Sequence, residues 1–99
     1  MRPFTIRAAG PADADTLYEF IRGLADYEHA LEAVEVTPAI LRTQMASARP
    51  PFESLLAEDG DLPLGFALFV QNYSTWRGRP GIWLEDLFVP PPHRRRGVG

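Results

Sequence analysis

The sequence predicts a single α/β domain of the α+β kind, with two helices packed on a mainly antiparallel sheet in the order β-α-α-β-β-β. Three observations carry that expectation. Leu17, Phe20, Ile21 and Leu24 recur at helical spacing and make one apolar face. Residues 64–70 form a nearly continuous apolar run, which suits a central strand buried on both faces. Residues 81–89 are apolar and rich in β-formers, and a proline run stops them. With 99 residues there is room for one domain.

The elements follow in order. Phe4-Thr5-Ile6-Arg7 alternates apolar and polar and reads as a first strand. Gly10-Pro11 starts a helix, with Asp13 and Asp15 suited to its positive end. That helix ends between Ala25 and Glu28, which leaves Tyr27, Glu28 and His29 at its last turn or just beyond. Thr37-Pro38 is an N-cap followed by proline at the first helical position, and Ile40, Leu41 and Met45 give the second helix its apolar face. Arg49-Pro50-Pro51 ends it. Residues 52–58 read as a strand closed by the turn Asp59-Gly60-Asp61, so the strands from residue 52 onward make an antiparallel meander. Residues 72–80 contain Ser, Gly and Pro and read as a loop carrying Trp76. A tryptophan there either marks a ligand or partner surface or folds back over the core.

Composition excludes several functions. Apolar content of 45% and charged content of 23% belong to a globular chain, not a disordered tail. No cysteine is present, so disulfides, thiolate metal sites and cysteine nucleophiles are ruled out, in keeping with a cytoplasmic protein. His29 and His93 have no partner at metal-ligand spacing, and no metal is expected. A net charge of −3 argues against a nucleic-acid partner, even with Arg94, Arg95 and Arg96 clustered. No apolar run approaches the roughly 18 residues of a membrane span, and no membrane partner is expected.

The chemistry concentrates at the end of the chain. Glu85 and Asp86 are adjacent inside a strand, so they should face opposite sides of the sheet. One would be solvated and the other would face a cavity or partners, since an unpaired buried carboxylate is costly. Beyond the prolines, Arg94-Arg95-Arg96-Gly97-Val98-Gly99 combines positive charge with glycines whose backbone N–H groups can form an anion nest. Read alone, the arginines are either that site or a solvated basic turn. The loop lacks the Gly-Lys-Ser/Thr of a P-loop and the third glycine of G-x-G-x-x-G.

Val89-x-Pro91-x-x-Arg94-x-x-Gly97-x-Gly99 resembles the acyl-coenzyme A motif of the GNAT N-acetyltransferases, Arg/Gln-x-x-Gly-x-Gly/Ala. Trp76 followed by Leu84-Glu85-Asp86-Leu87-Phe88-Val89 is similar to the spermidine/spermine (diamine) acetyltransferases and their thialysine-acetylating relatives. So are Leu24-Ala25-Asp26-Tyr27-Glu28 and Phe4-x-Ile6-Arg7-x-Ala9 with Ala12-Asp13. The resemblance covers essentially all of residues 1–99 but only the N-terminal half of such an enzyme, a partial domain ending in the acetyl-CoA pyrophosphate loop.

The resemblance implies transfer of an acetyl group from acetyl-CoA to a primary amine of a small polyamine or lysine-like substrate. It assigns proton acceptance to Glu85, directly or through water. Amine contacts fall to Tyr27, Glu28, Trp76, Glu85 and Asp86, although Tyr27 read without the resemblance would close the core and Asp86 could equally be solvated. Leu87, Phe88 and Val89 would run beside the pantetheine arm, one N–H polarising the acetyl carbonyl. Arg94, Arg95, Arg96, Gly97, Val98 and Gly99 would hold the pyrophosphate through backbone N–H groups. A homodimer is expected from the relatives. The sequence stops inside the motif, before the helix, the parallel partner strand and the general-acid tyrosine of that family. Residues 1–99 alone are therefore expected to be inactive and to bind coenzyme A weakly. A non-catalytic coenzyme A half-domain completed by a partner chain is the alternative.

Overall fold

The computed structural model describes residues 3–99. Strand β1 (Thr5–Ala8) leads through a short 3-10 turn at Pro11–Asp13 into α1 (Ala14–Tyr27). Helix α2 (Pro38–Met45) is followed by β2 (Glu53–Asp59), β3 (Leu62–Ser74) and β4 (Arg79–Phe88). The four strands lie in sequence order in one sheet, and every pairing is antiparallel. The β-α-α-β-β-β order and the meander read from the sequence are both present.

The core forms where the apolar stripe of α1 meets one face of the sheet. Ala14, Leu17 and Phe20 pack with Leu41 of α2 and with Leu56, Phe66, Leu68 and Phe88 from the strands. Phe20 and Phe66 stack with ring centroids 5.6 Å apart, an offset arrangement worth about 1 kcal/mol beyond the area it buries. Thr37 caps α2, its hydroxyl oxygen accepting the Ile40 N–H at 3.2 Å. Arg7 ties β1 to its surroundings. It donates to both Asp13 oxygens (2.9 and 2.7 Å) and through Nε to Glu58 (2.7 Å). The Arg7 hydrogen bond holds the Asp13 carboxyl below its ordinary value, against the opposing effect of burial.

The structure departs from the sequence reading in four places. Helix α1 begins at Ala14, because Pro11–Asp13 forms a 3-10 turn in which the Gly10 N–H donates to Asp13 Oδ2 at 2.8 Å. The loop at residues 72–80 shrinks to a tight turn, because Asn72, Tyr73 and Ser74 pair with Gly81, Pro80 and Arg79. Pro80 is tolerated there because β4 is an edge strand. Strand β3 is covered by helices on one face only. Leu64, Phe66 and Leu68 are buried, but Ala67 and Phe69 are half-buried, and Ile6, Leu55 and Leu87 stay exposed. Finally, the register passes from Phe69↔Leu84 to Leu68↔Asp86, so Glu85 is an extra residue in a β-bulge. The strict alternation expected of Glu85 and Asp86 is interrupted at that point.

Helix α1 ends in a Schellman motif. The Ala30 N–H donates to the Ala25 carbonyl at 2.8 Å and the His29 N–H to the Asp26 carbonyl at 3.0 Å. The motif needs a left-handed residue just after the helix cap Glu28, and His29 occupies that position with φ 57°. Its side chain is exposed, so no packing offsets the strain of a Cβ in this conformation. His29→Gly should therefore raise stability by about 0.5–1 kcal/mol, the relieved strain exceeding the added freedom of the unfolded glycine. Chemical denaturation of the two proteins reads this directly as a higher midpoint with an unchanged slope.

Candidate functional site

The end of β4 and the end of α1 converge. Phe88 is buried, and its ring packs against α1 so closely that a Cβ on Gly23 would lie 3.0 Å from it. This contact places Leu87, Phe88 and Val89 beside Leu24, Tyr27 and Glu28, and the chain then turns through Pro91–His93 into the basic loop. Between these segments lies an open cleft of about 570 Å³. Its walls are the C-terminal turn of α1, residues 87–89, and a floor of His93, Arg94, Arg95, Gly97, Val98 and Gly99.

The cleft is electrically polarised. On its basic side the backbone takes left-handed values at Arg95 (φ 67°) and Gly97 (φ 76°), and anion nests are built with left-handed residues of this kind. Arg94 donates its Nε–H to the Val89 carbonyl at 2.7 Å, and its guanidinium lies 5.1 Å from the centre of the Tyr27 ring. Arg96 turns the other way and pairs with Asp59 Oδ2 at 3.4 Å. On the acidic side the cleft is lined by Glu28, and Asp86 lies half-buried near it and next to Glu85. Burial, and then the Glu85 and Glu28 charges, push the Asp86 carboxyl above its usual value.

Of the residues the sequence singled out, Tyr27, Glu28, Leu87, Phe88, Val89, Arg94, Arg95, Gly97, Val98 and Gly99 all line this cleft. Glu85 is exposed on the bulge, and Asp86 lies beside it. Trp76 sits in the turn between β3 and β4 and is 98% exposed, so it does not fold back over the core. It stands apart from the cleft. Sequence reasoning missed Asp59, which looks like a turn residue until Arg96 is seen against it, and Gly65. A Cβ at Gly65 would come within 2.7 Å of the Phe88 carbonyl oxygen. A glycine inside an apolar strand was the available clue to a close backbone approach.

Comparison with known proteins places this geometry. The family described as Acetyltransferase (GNAT) family matches residues 15–99. The thialysine N-epsilon-acetyltransferase of Sus scrofa is 35% identical over 107 aligned residues, covering 100% of this chain and 62% of that protein. Spermidine/spermine N(1)-acetyltransferase-like protein 1 of Homo sapiens is 33% identical, over 97% of this chain and 15% of its own length. Among solved structures, an aminoglycoside acetyltransferase from an uncultured soil metagenomic sample superposes with a TM-score of 0.77 at 16% identity. That superposition covers 97% of this chain and 62% of that one, a likeness of fold. The chain thus spans about three fifths of the length of the thialysine acetyltransferases it matches.

The half-buried Asp86 carboxylate opposes folding at neutral pH. A carboxyl whose pKa is raised in the folded state binds its proton more tightly there than when unfolded, so stability falls as pH rises from the unfolded to the folded value. Asp86→Asn should raise the thermal midpoint at pH 7, and the gain should disappear below about pH 4, where both states are protonated. Thermal scans of the pair across that range check both the sign and the window.

Proposed function

We propose, from the premise that this chain belongs to the GNAT acetyltransferase family, that it forms the N-terminal part of a cytoplasmic N-acetyltransferase. In this reading acetyl-CoA is the acetyl donor and a small polyamine or lysine-like primary amine is the acceptor. The observation that carries it is the polarised cleft: Glu28, with the half-buried Asp86 near it, at one end and a left-handed basic loop at the other, joined by the exposed edge of β4. The acidic end suits a cationic amine, and the basic end suits a pyrophosphate.

In the proposed reaction the neutral amine nitrogen attacks the thioester carbonyl carbon. A C–N bond forms, the C–S bond breaks, and coenzyme A leaves as its thiolate. The proton lost by the amine passes to Glu85, directly or through a water. The bulge frees Glu85 from the strand register and leaves it exposed, so a water can reach it. Asp86, Glu28 and Tyr27 would hold the amine. The exposed backbone of residues 87–89 would accept the pantetheine arm as an added strand, with one N–H polarising the acetyl carbonyl. Gly97, Val98 and Gly99, with the arginines, would receive the pyrophosphate.

Trp76 fits this arrangement only through a second copy. Asp86 lies seven positions along β4 from Arg79, just after the turn, a span of roughly 23 Å. One small amine cannot touch both in the same chain. In a homodimer the hairpin of one copy would bring Trp76 to the cleft of the other.

The protein carrying this sequence should acetylate diamines or thialysine-like amines with acetyl-CoA. Glu85→Gln should lower kcat by about 10²- to 10⁴-fold at neutral pH and by less at high pH, where free amine no longer needs a base. A panel of polyamines, amino acids, peptides and aminoglycosides tests the substrate. Turnover confined to protein N-termini or aminoglycosides refutes the amine class, and an unchanged pH–rate profile refutes the role of Glu85.

A further inference from the structure

The three consecutive arginines are used in three different ways. Arg94 is tied at two points, its Nε–H on the Val89 carbonyl at 2.7 Å and its guanidinium plane over Tyr27 at 5.1 Å. Arg96 is drawn back under the loop to Asp59, and both side chains are mostly buried, 19% and 15% exposed. Arg95, between them, lines the cleft. It is also the residue forced into the left-handed region at φ 67°, where a side chain with a Cβ is strained. A strained turn persists only when its flanks over-determine it. Here the flanks are fixed from outside the loop, by the last turn of α1 on one side and by the β2–β3 turn on the other.

We propose that Tyr27 and Asp59 are positioning residues for the basic loop, each holding one arginine so that the Arg95–Gly97 backbone is set before any ligand arrives. The proposal rests on reading the cleft as a coenzyme site only for its consequence, not for the bracing itself. Tyr27 supplies an aromatic face for a guanidinium, an interaction that a phenylalanine ring also provides and an aliphatic side chain does not. Asp59 supplies an anion in a poorly solvated position, where a neutral amide of the same shape lacks the charge to hold Arg96. Preorganisation of this kind removes the entropy loss of ordering the loop at the moment of binding. It also joins the two ends of the cleft mechanically, since Tyr27 stands next to Glu28 on the acidic side.

The test compares the wild-type protein with Tyr27→Leu, Tyr27→Phe and Asp59→Asn by two independent readouts. The first is ¹⁵N relaxation of the Arg95–Gly97 amides without ligand, together with the Arg94 Nε–H resonance. The second is calorimetric titration with coenzyme A. Wild type and Tyr27→Phe should keep loop order parameters near the rigid value of about 0.85, and Tyr27→Leu and Asp59→Asn should fall below about 0.6. Coenzyme A affinity should weaken by about two- to fivefold in Tyr27→Leu, and by at least as much in Asp59→Asn, and stay unchanged in Tyr27→Phe. Tyr27 is exposed, so its substitution leaves the core intact and keeps the test readable if Asp59→Asn does not fold. Order parameters unchanged in Tyr27→Leu overturn the proposal. Loss of loop order in a protein that binds no coenzyme A in any form supports the bracing and refutes the coenzyme reading instead.

Discussion

The end of β4 is pinned by the fit of Phe88 into a slot lined by two glycines, and the cleft exists because of it. On one side the Phe88 ring enters the core with Phe20 and Phe66 and presses on α1 where Gly23 leaves room. On the other, its carbonyl and the Val89 backbone pass directly over Gly65, with no space for a side chain. A large aromatic in a closed core contributes about 3–5 kcal/mol relative to alanine. That is enough to draw an edge strand with an otherwise exposed apolar surface against the helix. Everything chemically interesting then falls into place. Residues 87–89 line the cleft, α1 presents Tyr27 and Glu28 at its Schellman end, and the prolines carry the basic loop back beneath them.

The site departs from good folding practice where the proposed chemistry needs it to. Asp86 is half-buried among like charges and titrates high, Glu85 interrupts the β3–β4 register, and Arg95 bears a Cβ in a left-handed turn. Each feature opposes stability; Arg95 lines the cleft, and Glu85 and Asp86 immediately precede residues 87–89 of its wall. The Arg7 cluster is the contrast. Its partners Asp13 and Glu58 are largely covered, and one guanidinium between them serves both carboxylates. It closes β1 onto the start of the helical layer, at the opposite end of α1 from the cleft. Strain and good pairing are segregated between the two ends of the same helix.

Much of this was legible in the sequence, for local reasons. The stripe Leu17, Phe20, Ile21, Leu24 dictates which face of α1 is buried, and Thr37-Pro38 can hardly be read except as a helix start. Arg94 to Gly99 announced a basic loop able to bend through left-handed geometry. What was not legible depends on partners distant in sequence. Glu85 and Asp86 look like an ordinary alternating pair until β3 is laid beside them and the register requires an extra residue. Residues 72–80 look like a loop because Gly and Pro are counted one at a time, whereas Asn72, Tyr73 and Ser74 find partners across the hairpin. Arg96 and Asp59 are 37 positions apart, and no spacing rule connects them. The motif resemblance named the arginines as one basic patch, but only the folded chain separates their roles.

The central claim is that the glycine slot under Phe88 sets the cleft, and the most direct measurement is coenzyme A affinity after that slot is filled. In the protein carrying this sequence, Gly65→Ala should push the Phe88–Val89 backbone out of position. Overpacking of this kind costs about 1–3 kcal/mol, which should weaken coenzyme A binding in a calorimetric titration by about tenfold or more. Gly10→Ala is the matched control, since a Cβ there meets nothing within 4 Å and the backbone is extended at φ −124°. It should bind as the wild type does. Equal affinity in all three proteins would contradict the account, because the cleft would then form without the close approach of Phe88 to Gly65.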